Sequence, residues 1–131
     1  MNDCPKILIA DDEQECIDFV YAALEDGSYE IISAHDGEEA FNVAQQEKPN
    51  LIILDVQMPK QDGFQVFTQL RSDNSLADIP VIMLTGIGER TGIKTSSSDM
   101  AGFLGSEPEA YIDKPIEPAI LKQTVNRLLK K

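Results

Sequence analysis

A doubly wound α/β sandwich is the fold class this sequence predicts, and three observations predict it. Short apolar runs at Ile7–Ala10, Leu51–Leu54 and Val81–Leu84 read as strands buried on both faces, as in parallel sheets. Amphipathic stretches alternate with these runs, which calls for right-handed crossovers and helices on both sides of one sheet. Polar residues sit at the ends of the runs: Asp11-Asp12, Asp55, Thr85, and Lys114 after Tyr111-Ile112. The strands of an open parallel sheet end at one edge, and ligands bind in the crevice there.

The elements follow in order. Lys6–Ala10 is the first strand. Glu13–Asp26 is a helix whose stripe Ile17, Val20, Tyr21, Leu24 has the i, i+3, i+4, i+7 spacing. Asp11 or Asp12 can cap it, and Gly27 stops it. Tyr29–Ala34 is the second strand. Asp36-Gly37 opens a second helix that runs to about Glu47, with Ala40, Phe41, Val43 and Ala44 facing inward and Pro49 ending it. Asn50–Leu54 is the third and most apolar strand. Met58-Pro59 and Asp62-Gly63 form a loop into a third helix ending near Arg71, and Ile79–Leu84 is the fourth strand. Residues 86–108 are rich in Gly and Ser, so the fourth helical region is expected to be short or atypical. Tyr111–Asp113 is a short fifth strand. Pro118 opens a last helix with Leu121, Val125, Leu128 and Leu129 inward and Lys130-Lys131 at its C-terminal end.

The chain of 131 residues is expected to form one domain, 1–131, that buries roughly two-thirds of its unfolded surface. Its net charge of −12 disfavours nucleic acid and anionic membrane surfaces and favours cations and basic protein surfaces. Pro, Lys or Asp interrupts each apolar run within about six residues, so no membrane insertion is expected and the cytoplasm is the expected compartment. Cys4 and Cys16 have no metal-binding or redox spacing and are read as reduced bystanders. The lone His35 is read as a surface residue.

The strand-end residues suggest specific chemistry. Three carboxylates brought together repel one another unless a cation neutralises them. A hard, oxygen-preferring ion fits, and Mg²⁺ (or Mn²⁺) suits a few carboxylates combined with phosphate oxygens. Asp55 is then a nucleophile able to form an acyl phosphate, while Thr85 and Lys114 meet the charge on the phosphoryl oxygens. Each residue has a plainer reading: Asp11-Asp12 as a helix cap, Thr85-Gly86 as a strand-end turn, Lys114-Pro115 as a surface charge and strand terminator. Their joint placement favours the chemical reading.

In order and nearly in spacing, Asp11-Asp12, Asp55 with Met58-Pro59 and Asp62-Gly63, Thr85-Gly86, and Tyr111 before Lys114-Pro115 resemble the signature of response regulator receiver domains, the CheY-like superfamily, over essentially the whole chain. The resemblance implies a flavodoxin-like five-stranded sheet of order 2-1-3-4-5. It implies that Asp55 accepts phosphate from the phosphohistidine of a sensor histidine kinase or histidine phosphotransfer protein. It implies a metal site made of Asp12, Asp55 and the backbone carbonyl of Gln57, with Asp11 acting through water, and a cis peptide at Lys114-Pro115. It also implies a switch: the Thr85 hydroxyl moves toward the phosphoryl group, and Tyr111 turns into the vacated space.

Two departures stand out. Bulky Ile87 is expected to shield the phosphoryl group and lengthen its life. Between Thr85 and Lys114 the chain is about two helical turns longer than the usual pattern, which puts the family's common dimer contact through this face in question. The expected protein is a stand-alone phosphoacceptor that signals to a downstream protein target and is not a turnover enzyme. The alternatives are a phosphorylation-independent binding module and a receiver fragment of a larger regulator. A dehalogenase-type phosphatase would need a second acid where Gln57 stands, and a flavin carrier would need a phosphate loop where Asp11-Asp12-Glu13 stands.

Overall fold

The computed structural model of the chain describes residues 5–25, 29–56, 63–85, 109–113 and 116–129, without the side chains of Phe64 and Asp113. Five strands, β1 (Lys6–Ala10), β2 (Glu30–Ala34), β3 (Leu51–Asp55), β4 (Val81–Thr85) and β5 (Ala110–Asp113), form one parallel sheet. Their order is β2-β1-β3-β4-β5, so the direction of winding reverses between β1 and β3. The described helices are α1 (Gln14–Leu24), α2 (Gly37–Glu47), α3 (Gly63–Ser72) and α4 (Pro118–Leu129). The helical region predicted within 86–108 lies outside the described residues, as do Cys4, Gly27 and Lys130-Lys131.

Side-chain alternation divides the core into two layers. Leu8, Ala10, Ile52, Leu54, Val81 and Met83 pack under α2 and α3 through Ala40, Ala44, Val66, Phe67 and Leu70. Ile7, Ile9, Leu51, Ile53, Ile82 and Leu84 pack under α1 and α4 through Ile17, Val20, Leu24, Leu121 and Val125. Strands β3 and β4 are buried along their whole length, whereas the edge strand β2 is mostly half-buried. No described helix is long and apolar enough to cross a membrane.

Several local expectations need correcting. Tyr21 is 51% exposed, because the stripe centres on Ile17, Val20 and Leu24 and Tyr21 lies roughly 70° from that centre. Neither Asp11 nor Asp12 is the N-cap of α1. That position is Glu13, whose own N–H donates to Asp11 Oδ1 at 2.9 Å. Strand β4 starts at Val81 and not Ile79, because a turn closed by Ile79 N–H on the Leu76 carbonyl runs up to Pro80, which has no N–H to donate. Phe41 and Val43 do face inward, packing partly buried against the layer under α2 and α3.

Helix α2 starts as predicted. Asp36 accepts the N–H of Glu39, and Glu39 in turn accepts the N–H of His35. It ends at Lys48, which takes a left-handed conformation (φ 46°) while its N–H bonds the Ala44 carbonyl at 2.9 Å. Beyond α3, Asp73 accepts from the Ser75 hydroxyl and N–H and from Gln45. Those bonds, the Ser75 hydroxyl first, hold the Asp73 carboxyl below the ordinary aspartate value.

Two outcomes follow. Lys48→Gly removes the left-handed penalty of a residue with a Cβ and should stabilise the fold by about 1 kcal/mol, read as a rise in melting temperature. A carboxyl with a depressed pKa contributes stability above its unfolded pKa and loses it as pH falls through its folded pKa. NMR titration should therefore show Asp73 protonating at lower pH than a free aspartate, with the value climbing in Ser75→Ala.

Candidate functional site

Strand register builds the site. Ile9 lies level with Ile53 and Ala10 with Leu54, so the next residues along, Asp11 and Asp55, are neighbours at the carboxyl edge. Both continue the alternation of the face that packs under α1 and α4, occupied before them by Ile7, Ile9, Leu51 and Ile53. Backbone bonds carry the sheet past its formal end on both sides: Asp11 N–H to the Ala34 carbonyl (3.1 Å) and Val56 N–H to the Leu84 carbonyl (3.0 Å). Asp55 is level with Leu84, which puts Thr85 one step further along the adjoining strand.

Among the described residues, the buried polar or charged side chains are Asp11, Asp55 and Thr85, at 0%, 3% and 0% exposure. All three lie at this edge, and all three are residues that the sequence singles out. Asp12 joins them from the solvent side. One carboxylate oxygen each from Asp11, Asp12 and Asp55 lies within 4.8 Å of the others. At an effective dielectric of about 20, two unit charges at that separation repel by roughly 3 kcal/mol. Such a cluster is unfavourable for folding and suited to a cation. The donor set contains only carboxylate oxygen, with no thiolate or imidazole, which matches magnesium or manganese and not zinc or copper.

Tyr111 is half-buried on β5, level with Met83, and packs against the layer under α2 and α3. Alternation gives Thr85 the same face as Met83, so Thr85 and Tyr111 occupy one side of neighbouring strands. Gln57, Met58-Pro59, Asp62, Gly86, Ile87 and Lys114-Pro115 lie outside the described residues. Gly63 reads as a loop residue in the sequence. It is the first residue of α3, and its N–H donates to the Val56 carbonyl at 2.8 Å, drawing the helix onto the end of β3. His35 is exposed and forms no part of the carboxylate cluster; its ring bonds Gln14 at 2.8 Å.

The pattern describing the response regulator receiver domain matches residues 7–126. The chain belongs to the response regulator receiver domain family. It is 36% identical over 126 residues to the alkaline phosphatase synthesis transcriptional regulatory protein PhoP of Bacillus subtilis, covering 96% of this chain and 49% of that one. It is 38% identical over 127 residues to the DNA-binding dual master transcriptional regulator RpaA of Synechocystis, covering 97% and 50%. This receiver thus spans about half the length of the curated relatives it matches. Its fold is similar to that of the chemotaxis response regulator CheY4 of Vibrio cholerae, with a TM-score of 0.82, 29% identity, and coverage of 97% of this chain and 100% of that one. The family works in two-component systems, and magnesium and a phosphoaspartate are general features of it.

Replacing Asp11 should separate its two contributions to stability. In chelator, Asp11→Asn and Asp11→Ala remove the same charge, but only Asp11→Asn keeps an oxygen for the Glu13 N–H. Asp11→Ala should therefore be about 1–2 kcal/mol less stable than Asp11→Asn by chemical denaturation.

Proposed function

We propose that this receiver accepts a phosphoryl group on the carboxylate of Asp55, taken from the phosphohistidine of a sensor histidine kinase or histidine phosphotransfer protein. The observation that carries this reading is that the buried polar residues of the described chain, Asp11, Asp55 and Thr85, gather at one sheet edge beside exposed Asp12. A carboxylate oxygen of Asp55 attacks phosphorus, the bond from phosphorus to the imidazole nitrogen breaks with its electron pair going to that nitrogen, and the ring, already protonated on its other nitrogen, leaves as neutral imidazole. Asp11, Asp12 and Asp55 would hold a divalent cation, with the Gln57 carbonyl as a further ligand by family resemblance. Such an ion supplies neutralising charge at the phosphoryl oxygens when bound. Burial keeps bulk water from Asp55 on the sheet side, and the Thr85 hydroxyl and Lys114 ammonium take up phosphoryl oxygens.

Phosphorylation then biases the face that carries Thr85 and Tyr111. A displaced Thr85 side chain changes the space open to Tyr111, and a protein target reads the result. The receiver turns over no external substrate and works in the cytoplasm. Relatives twice its length are transcriptional regulators by name, one of them DNA-binding. A net charge of −12 makes this chain itself a poor ligand for DNA, so in a longer protein the nucleic-acid contact would belong to another domain.

With Mg²⁺ and a small acyl phosphate donor, intact-mass measurement should show one added phosphoryl group. It should be absent in Asp55→Asn and in excess chelator. A wild-type protein that takes up no phosphoryl group would leave a phosphorylation-independent binding module as the better reading. Continuous release of phosphate from an ester would point to a phosphatase.

A further inference from the structure

We propose that Gly63 is a positioning residue for Asp55: the missing side chain at 63 sets where the Asp55 carboxylate stands relative to Asp11 and Asp12. The inference rests on the reading of the three carboxylates as a divalent-cation site. A Cβ at position 63 would lie 2.5 Å from the Asp55 carbonyl oxygen, 3.0 Å from Val56 Cα and 3.1 Å from the Asp55 carbonyl carbon. All three contacts are backbone, so no side chain can swing aside to make room.

Neither partner can retreat easily. Helix α3 is anchored one and two turns on by Val66, Phe67 and Leu70, all within the core. Strand β3 is an interior strand, paired with β1 on one side and β4 on the other. Its end is held by the bond from Val56 N–H to Leu84 and by the bond from Gly63 N–H to Val56. Relief of the clash therefore requires the backbone of Asp55 and Val56 itself to be displaced away from α3. That displacement carries the Cα–Cβ bond of Asp55 with it, and so the carboxylate.

A closely packed interior transmits such a shift instead of absorbing it. Mg²⁺ is sensitive to the outcome, because it requires near-ideal octahedral geometry from its ligands. Glycine at 63 is thus explained by the approach of α3 to the Asp55 carbonyl and by no special backbone angle.

The test compares Mg²⁺ affinity by isothermal titration calorimetry, well below the melting temperature, in wild type, Gly63→Ala and Val66→Ala. The valine variant removes core contacts from the same helix without touching Asp55 and serves as the structural control. Gly63→Ala should bind Mg²⁺ more weakly by roughly tenfold or more, the scale on which mispositioned metal ligands lose affinity, while Val66→Ala keeps wild-type affinity. Wild-type affinity in Gly63→Ala would overturn the proposal, and so would an equal loss in both variants, which would mean general loosening of α3. If wild type itself binds no Mg²⁺, the cation-site reading fails and takes this inference with it, an outcome distinct from the other two. Should Gly63→Ala not fold, the comparison is made with Lys48→Gly added to every protein.

Discussion

The pairing register of β1 with β3 is the constraint on which the rest of the molecule depends. It is set at the far edge of the sheet, where Lys6 and Asn50 clasp each other. Lys6 N–H donates to Asn50 Oδ1 at 2.8 Å, and Asn50 N–H donates to the Lys6 carbonyl at 2.7 Å. From there Ile7 meets Leu51 and, four levels along, Ala10 meets Leu54. Asp11 and Asp55 arrive side by side because the two runs between clasp and site are of equal length. Both strands are apolar on both faces, so hydrophobic patterning alone would tolerate a slip of one residue, which would exchange the two core layers and part the carboxylates.

The same edge carries a conflict between stability and chemistry. Two buried carboxylates and a third at the surface oppose folding, yet both core layers continue without a break up to Ala10 and Leu54. Helices α1 and α3 follow β1 and β3 directly and so begin at this edge, turning their positive dipole ends toward the acids. The Glu13 N–H bound to Asp11 acts in the same direction. At the opposite edge the residues serve the scaffold. Arg71 stacks on Phe67 and grips the Ala77 and Ile79 carbonyls and the Glu109 carboxylate, while Glu109 accepts from the N–H of Val81. Chemistry and support are thus separated by the length of a strand.

Most of the fold could be read from pattern, because apolar runs of strand length and helical stripes are local signals. The readings that failed involve geometry that a local pattern cannot encode. Tyr21 fits the spacing of the α1 stripe, but its exposure follows from which two helices share that layer. Lys48 bears no mark of its left-handed conformation, which is imposed by the need to stop α2 before Pro49 and enter β3. Among the site residues, Asp11, Asp12, Asp55 and Thr85 were visible as polar residues at the ends of apolar runs. Gly63 was visible only as a glycine, since its importance lies in the distance of closest approach between α3 and β3.

Residue order alone singled out which polar residues follow the strands. Asp11, Asp12, Asp55 and Thr85 come directly after apolar runs of strand length, and because parallel strands must end at a common edge they gather there whatever the exact packing. It could not establish which acids actually touch, how deeply each is buried, or what holds them there. Those depend on register, on crossing distances between helix and strand, and on the balance of charge repulsion against core packing. Each joins residues far apart in the chain, and so only the folded molecule decides them.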